Sequence, residues 1–302
     1  VTATAVTTIT GTASQLATTY GGGMTGLGNE AITVSDTSIT SAQANTIDAY
    51  TTGAVTATIS TQTIADLDDL TGTGNAYTIT VGDTSVTAAA LNTVNAATTV
   101  NVTATAVTTI TGTASQLATT YGGGISNLGD EAIIVSDSVT SAQANTIDGY
   151  TSGVVTATIS TTAIADLDDL TGTGNAYTIT VGDASVTAAA LNTVNAATTV
   201  NVTATAVTTI TGTASQLATT YGGGMTGLGN EAITVSDTSI TSAQANTIDA
   251  YTTGAVTATI STQTIADLDD LTGTGNAYTI TVGDTSVTAA ALNTVNAATT
   301  VN

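Results

Sequence analysis

The densest cluster of chemically capable side chains is Asp66, Asp68 and Asp69, in the stretch "IADLDDL". It recurs as Asp166, Asp168 and Asp169 and again as Asp267, Asp269 and Asp270. Paired carboxylates suit two kinds of chemistry. One is general acid–base work on a polar bond. The other is coordination of a hard cation, for which carboxylates and turn carbonyls are good ligands. No histidine, cysteine, lysine or arginine stands anywhere in the 302 residues to serve as a base, nucleophile or phosphate grip. Three copies of one active site along a chain are also unusual, so the acids read as Ca²⁺ candidates, not catalysts. The plainer alternative is that they sit solvated in the first turn of a short helix, where the dipole favours negative charge.

Other candidates carry less. Asp36 and Asp83 lie in paired "DTS" turns and could add ligands, although an Asx-turn explains them as well. Neither an EF-hand loop nor a GGxGxD nonapeptide occurs, since "YGGGMTGLGNE" at 20–30 has the glycines without the aspartate. The "GGG" at 21–23 lacks the following GK[ST] of a phosphate cradle and reads as a loop. Tyr20, Tyr50 and Tyr77 could stack on a polysaccharide, or could cap coil ends. Asn101-Val-Thr103 and Asn201-Val-Thr203 match a glycosylation sequon.

Composition narrows the partners. The formal charge of −22 is uncompensated by any Lys or Arg. Nucleic acid and anionic membrane surfaces are therefore repelled, and divalent cations are the natural counter-charge. No apolar run approaches the roughly 20 residues that span a bilayer. Only 7% of residues are charged, against 41% hydrophobic, so the chain is not a disordered acidic tail. Trp and Phe are absent, and any core must be built from Val, Ile, Leu and Ala.

The elements that would position these residues are set by repetition. Three units, 1–101, 102–201 and 202–302, repeat in tandem; the first and third are identical. The middle one has Ile125 for Met24 and Asp130 for Asn29, and lacks one residue between Asp137 and Val139. Within a unit, "ITVSDTSITSAQANTIDA" at 32–49 aligns without gaps to "ITVGDTSVTAAALNTVNA" at 79–96. Each unit therefore divides into about four coils, starting near Val1, Ala31, Val55 and Tyr77.

Every coil opens on an alternating stretch, "VTATA", "AITVS", "VTATI" or "YTITV", which predicts a strand with Val, Ile or Ala inward and Thr or Ser outward. A helical piece follows: "TASQLATTY", "TSAQANTIDAY", "IADLDDL" or "TAAALNTVNAA". Thr12 with Gln15 and Thr40 with Gln43 fit a capping box. Thr63 with Asp66 fits it more loosely, because the middle unit has Ala163 there. Gly21–Gly23, Gly53 and Gly72 fall where C-caps would lie.

Helices this short need a neighbouring coil to hold them. The expected fold is a continuous β-solenoid of parallel strands stacked coil on coil, with short helical segments in the coils. Tandem Ig-like β-sandwiches are the alternative. In the solenoid, outward hydroxyls such as Thr2/Thr4, Thr56/Thr58 and Thr78/Thr80 would line up as an ice-binding-like ladder.

The phrases "GLGNEAITVSDTSIT", "NTIDAYTTGAVTA" and "ITGTASQLATTYGGG" resemble Thr/Ala/Asp-rich tandem repeats of very large secreted surface, sheath or filament proteins of cyanobacteria and other aquatic bacteria. The resemblance implies an extracellular or cell-surface location and a fibrous, sheath-like, surface-layer or adhesive role, sometimes with calcium. On this reading the chain is an excerpt of a longer polypeptide. Its partners are copies of itself, divalent cations and polysaccharide, and it is not an enzyme.

Overall fold

The computed structural model describes residues 1–301, which fall into two compact units. The first comprises Val1–Asp137 with Thr146–Ala157, and the second Ser138–Asn145 with Thr158–Asn302. These divisions do not follow the sequence repeats, whose junctions lie at 101/102 and 201/202.

In the first unit, strands Thr8–Gly11, Ala31–Val34, Val55–Thr58 and Ala76–Thr78 form one sheet in chain order, every pair parallel. Helices Ala13–Gly21, Ser41–Asp48 and Ile64–Leu67 supply the crossovers that parallel pairing demands. Strand Ser85–Thr87 then pairs with Thr109–Gly112, which pairs with Ala132–Val139, and the two-residue strands Val102–Thr103 and Ile125–Ser126 pair beside them. In the second unit, Ser185–Thr187, Thr209–Gly212, Ala232–Val235, Val256–Thr259 and Ala277–Thr279 form a five-stranded parallel sheet, again in chain order. Every one of these pairings is parallel, whereas Ig-like sandwiches are built from antiparallel sheets.

The register explains the alternation read from the sequence. Ile9 stands opposite Ile32 and Ile32 opposite Val55, a column pointing into the core. Thr10, Thr33 and Thr56 form the outward column beside it. The core is Val, Ile, Leu and Ala, with one wholly buried tyrosine per repeat: Tyr77, Tyr177 and Tyr278.

The helices begin where the hydroxyls predict. Thr12 and Thr40 accept from the Gln15 and Gln43 amides at 3.3 and 3.2 Å, and both glutamines reach back at 2.9 Å. Thr63 makes no such bond to the backbone; its hydroxyl donates to Asp66 at 2.6 Å, and the helix stops after one turn, at Leu67.

Two expectations need correction. "VTATA" at 1–5 is not a strand: Thr2 alone bridges Thr25, and the Val6 amide donates back to Ala3 at 3.1 Å, closing a turn. The strand lies in the following letters, "TITG" at 8–11. The turn is fixed by Gly26, at φ +86°, where a Cβ would stand 2.9 Å from the Thr4 nitrogen. The middle repeat puts Asn127 in the same left-handed region, which Asn tolerates better than other residues. Gly53 and Gly72, for their part, are not caps, since helix Ser41–Asp48 ends at Ala49 and helix Ile64–Leu67 at Asp68, both in αR geometry. Gly53 lets the chain pass so close to the Glu30 carbonyl that a Cβ would lie 2.4 Å from its oxygen.

Candidate functional site

The structure does not gather the nine sequence-selected aspartates into a cage. Asp66 sits exposed on the four-residue helix, Asp68 follows it as the C-cap, and Asp69 is exposed beyond. Asp166, Asp168 and Asp169 take the same places after Ala163, and Asp267, Asp269 and Asp270 after Thr264. The Asp66 carboxylate is held by the Thr63 hydroxyl, and Asp267 by Thr264 at 2.6 Å. What the neighbouring coil uses is the Asp69 carbonyl, which accepts from Asn45 Nδ2 at 2.8 Å while Asn45 Oδ1 accepts from the Thr71 amide at 3.0 Å. Among the described residues, no group of three carboxylates is placed to hold a metal ion.

Asp36 and Asp83 do something the turn reading missed. Asp36 accepts from the Ala13 amide at 2.7 Å, 23 residues back along the chain, and Asp83 from the Ile64 amide at 2.5 Å, 19 residues back. Each carboxylate therefore caps the helix of the preceding coil, at the end where orphan amides and the dipole favour an anion. Asp137, Asp183, Asp237 and Asp284 repeat the contact on Ala114, Ile164, Ala214 and Ile265. Gln62 and Gln263 serve helices Ser41–Asp48 and Ser242–Asp249 through the Ser41 and Ser242 amides. The signal was partly present in the letters: an acid or amide stands one coil downstream of the helix starts at Thr12, Thr40 and Thr63, whereas the Thr161 hydroxyl takes that place for Ser141 in the middle repeat.

A second set went unselected. Glu30 is 1% exposed, and Glu131 and Glu231 are buried in the same place. Glu30 accepts from the Gly28 amide at 2.8 Å, the Asn29 amide at 3.2 Å and the Tyr20 hydroxyl. Burial by itself pushes its pKa up, but the Tyr20 hydroxyl and the converging amides outweigh that and hold it below the usual carboxylate value. Burial, and then Glu30, push the Tyr20 hydroxyl well above its ordinary range. The Tyr20 ring stacks on Tyr50 with centroids 4.8 Å apart, and Tyr121/Tyr150 and Tyr221/Tyr251 match it. These tyrosines spend their faces on one another, and Tyr77 lies in the core.

Buried Asn75 completes the polar interior. Its Nδ2 donates to Asp48 at 2.7 Å and its Oδ1 accepts from the Val55 amide at 2.7 Å. The Tyr77 hydroxyl is buried without a hydrogen bond. The Asn75–Asp48 bond joins one coil to the next. The shallow cavities beside Tyr50 and Tyr251, about 260 and 270 Å³, are lined without a carboxylate.

The threonine columns are real but short. Thr10, Thr33 and Thr56 lead to Ala76, and in the middle repeat Thr87 and Thr111 lead to the exposed Ile134. Thr58 pairs with Thr78, while Thr4 lies on the turn. Among the described residues, no helix is long and apolar enough to cross a membrane. Comparison with family models, with curated proteins and with solved structures yields no match.

Proposed function

We propose that this chain is a structural repeat segment of an extracellular fibre, sheath or surface layer, built as a β-solenoid in which one coil is the template for the next. One observation carries the reading: the polar side chains that do meet across the chain, Asp36, Asp83 and Asn45, are spent on coil-to-coil joints, while the "DLDD" carboxylates stay exposed and ungathered. Asp36, Asp83 and their repeats cap the preceding helix, and Asn45 bridges to the backbone after "IADLDD". Such a molecule bears load through backbone pairing and stacking, needing neither cysteine nor lysine cross-links.

On this reading the chain is not an enzyme, its partners are copies of itself, and divalent cations and polysaccharide act as surface counter-charge and matrix. The scattered carboxylates keep a negative surface that repels anionic membranes. The test is axial order in the native material. Fibre diffraction or electron microscopy should give a repeat near 4.8 Å along the coil-stacking direction, the spacing of paired strands. A material without that repeat overturns the reading.

A further inference from the structure

Going beyond the structural reading, we infer that the stacked tyrosine pairs Tyr20/Tyr50, Tyr121/Tyr150 and Tyr221/Tyr251 are covalent cross-linking sites, at which hydrogen peroxide and a peroxidase join each pair as dityrosine. The first observation behind this is geometric. The rings of the three pairs lie within 10, 10 and 11° of parallel, with centroids 4.8, 4.9 and 4.8 Å apart, so the carbons of one ring already touch those of the other. Each pair also spans two coils: Tyr20 lies in the last turn of helix Ala13–Gly21, and Tyr50 follows helix Ser41–Asp48. All three repeats keep the same geometry, so the stack belongs to the repeat and not to one place in the chain.

A proton acceptor is already in place at each pair. The Tyr20 hydroxyl donates to the buried Glu30, and Tyr121 and Tyr221 donate to the buried Glu131 and Glu231 at 2.8 Å. Burial, and then the carboxylate, hold the Tyr121 and Tyr221 hydroxyls well above their ordinary range, so both stay protonated at neutral pH. Removing an electron from such a ring also removes the proton, and the carboxylate is there to take it. Composition adds a third observation. The chain has no Trp, Cys or His and only two Met, which leaves tyrosine as the chief source of an electron. The six paired rings are half-buried, and cavities of about 260 and 270 Å³ open beside Tyr50 and Tyr251, whereas Tyr77, Tyr177 and Tyr278 are sealed in the core.

Each tyrosine of a pair gives up one electron and its hydroxyl proton, Tyr20 to the Glu30 carboxylate, which passes it to water, and Tyr50 to water directly. The two phenoxyl radicals couple through a carbon–carbon bond between ring carbons ortho to the oxygens. The hydrogens on those carbons leave as protons, and the oxygens become hydroxyls again. The pair has then lost two hydrogen atoms in all, and one hydrogen peroxide has been reduced to two waters. The product ties one coil to the next in a chain that has neither cysteine nor lysine for another kind of cross-link.

The glutamates supply the test, because Glu30, Glu131 and Glu231 are the only ones in the chain and each lies between the two members of a pair. The whole folded chain, dilute enough that copies do not meet, is treated with hydrogen peroxide and a peroxidase, then denatured and cleaved after glutamate. Untreated chain should fall into 1–30, 31–131, 132–231 and 232–302. Oxidised chain should stay in one piece, fluoresce as dityrosine and weigh less by two hydrogens per pair. Tyr50→Phe keeps a ring in the stack but cannot couple, and should release 1–30 alone. Glu30→Gln, followed by intact mass, should leave two couplings at the wild-type rate and slow the third about 100-fold, the scale of a positioned proton acceptor. Three equal rates overturn the role of the carboxylate. Oxidised chain that still falls apart, or Tyr50→Phe that holds 1–30, overturns the cross-link. If circular dichroism shows that chain folded, the coil-stacking reading stands, since it rests on the axial repeat.

Discussion

Segments 76–100 and 277–301 have the same letters and differ only in what lies above them. In the first, Leu91 and Val86 are sealed and Ser85–Thr87 is a strand. In the second, the corresponding Val287 is half-buried and Ser286–Thr288 is irregular, yet helix Ala289–Ala297 persists with Thr288 still accepting from the Ala291 amide at 3.2 Å. The helix is thus specified by its own cap and by the coil below, while the strand is a property of a pair and waits for the coil above.

The largest effect should come from the buried side of that comparison. Leu91→Ala removes a sealed side chain between two coils and should cost about 2–5 kcal/mol. Leu292→Ala, at the uncovered face, should cost less than about 1 kcal/mol, since its transfer from water is incomplete. Denaturant unfolding of the two variants at equal protein concentration measures the gap. Equal losses would mean that Leu292 is covered in solution.

The next comparison sets Asp36, in a "DTS" turn, against Asp66, in "IADLDDL". Asp36→Ala deprives the Ala13 amide of its acceptor in the neighbouring coil and should cost about 1 kcal/mol, the usual value of a lost helix cap. Asp66→Ala removes an exposed acid bonded only to Thr63, and should move stability by a few tenths of a kcal/mol. Chelation should leave both melting temperatures where they were; a drop in the wild-type chain that Asp66→Ala abolishes would restore the "DLDD" carboxylates as Ca²⁺ ligands.

That contrast also shows where the sequence was legible. The period-two columns through Ile32 and Thr33, and the capping boxes at Thr12 and Thr40, are local, so the letters display them directly. The partners of Asp36 and Asn45 lie one coil away, and their role is invisible until the register is known. "VTATA" misled because alternation reports which faces are apolar, not whether the chain runs on or turns; the turn depends on the approach of Gly26 from the far end of the same coil. Glu30 was overlooked because a lone acid among glycines looks like a solvated loop. Its burial follows from amides presented by residues 28 and 29, in a loop whose shape the letters do not state.

Glu30 gives the smallest expected effect and the sharpest sign. Its folded pKa lies below the unfolded value of about 4.3. Its carboxylate therefore contributes stability that is fully present above that value and is lost as pH falls through the lowered folded one. Glu30→Gln keeps an acceptor for the Gly28 amide but cannot titrate. The melting temperatures of the two chains should run in parallel above about pH 5, with the wild type higher, and converge as the pH drops below about 4. Titration of the other carboxylates is common to both chains and cancels in the difference, including the relief of self-repulsion in a chain of net charge −22. A difference that stays constant through this window would mean that the Glu30 carboxyl is not held ionised by the loop. Tyr20→Phe adds a control on the cause: removing the hydroxyl that bonds Glu30 should shrink the pH-dependent difference and raise the pH at which convergence is complete.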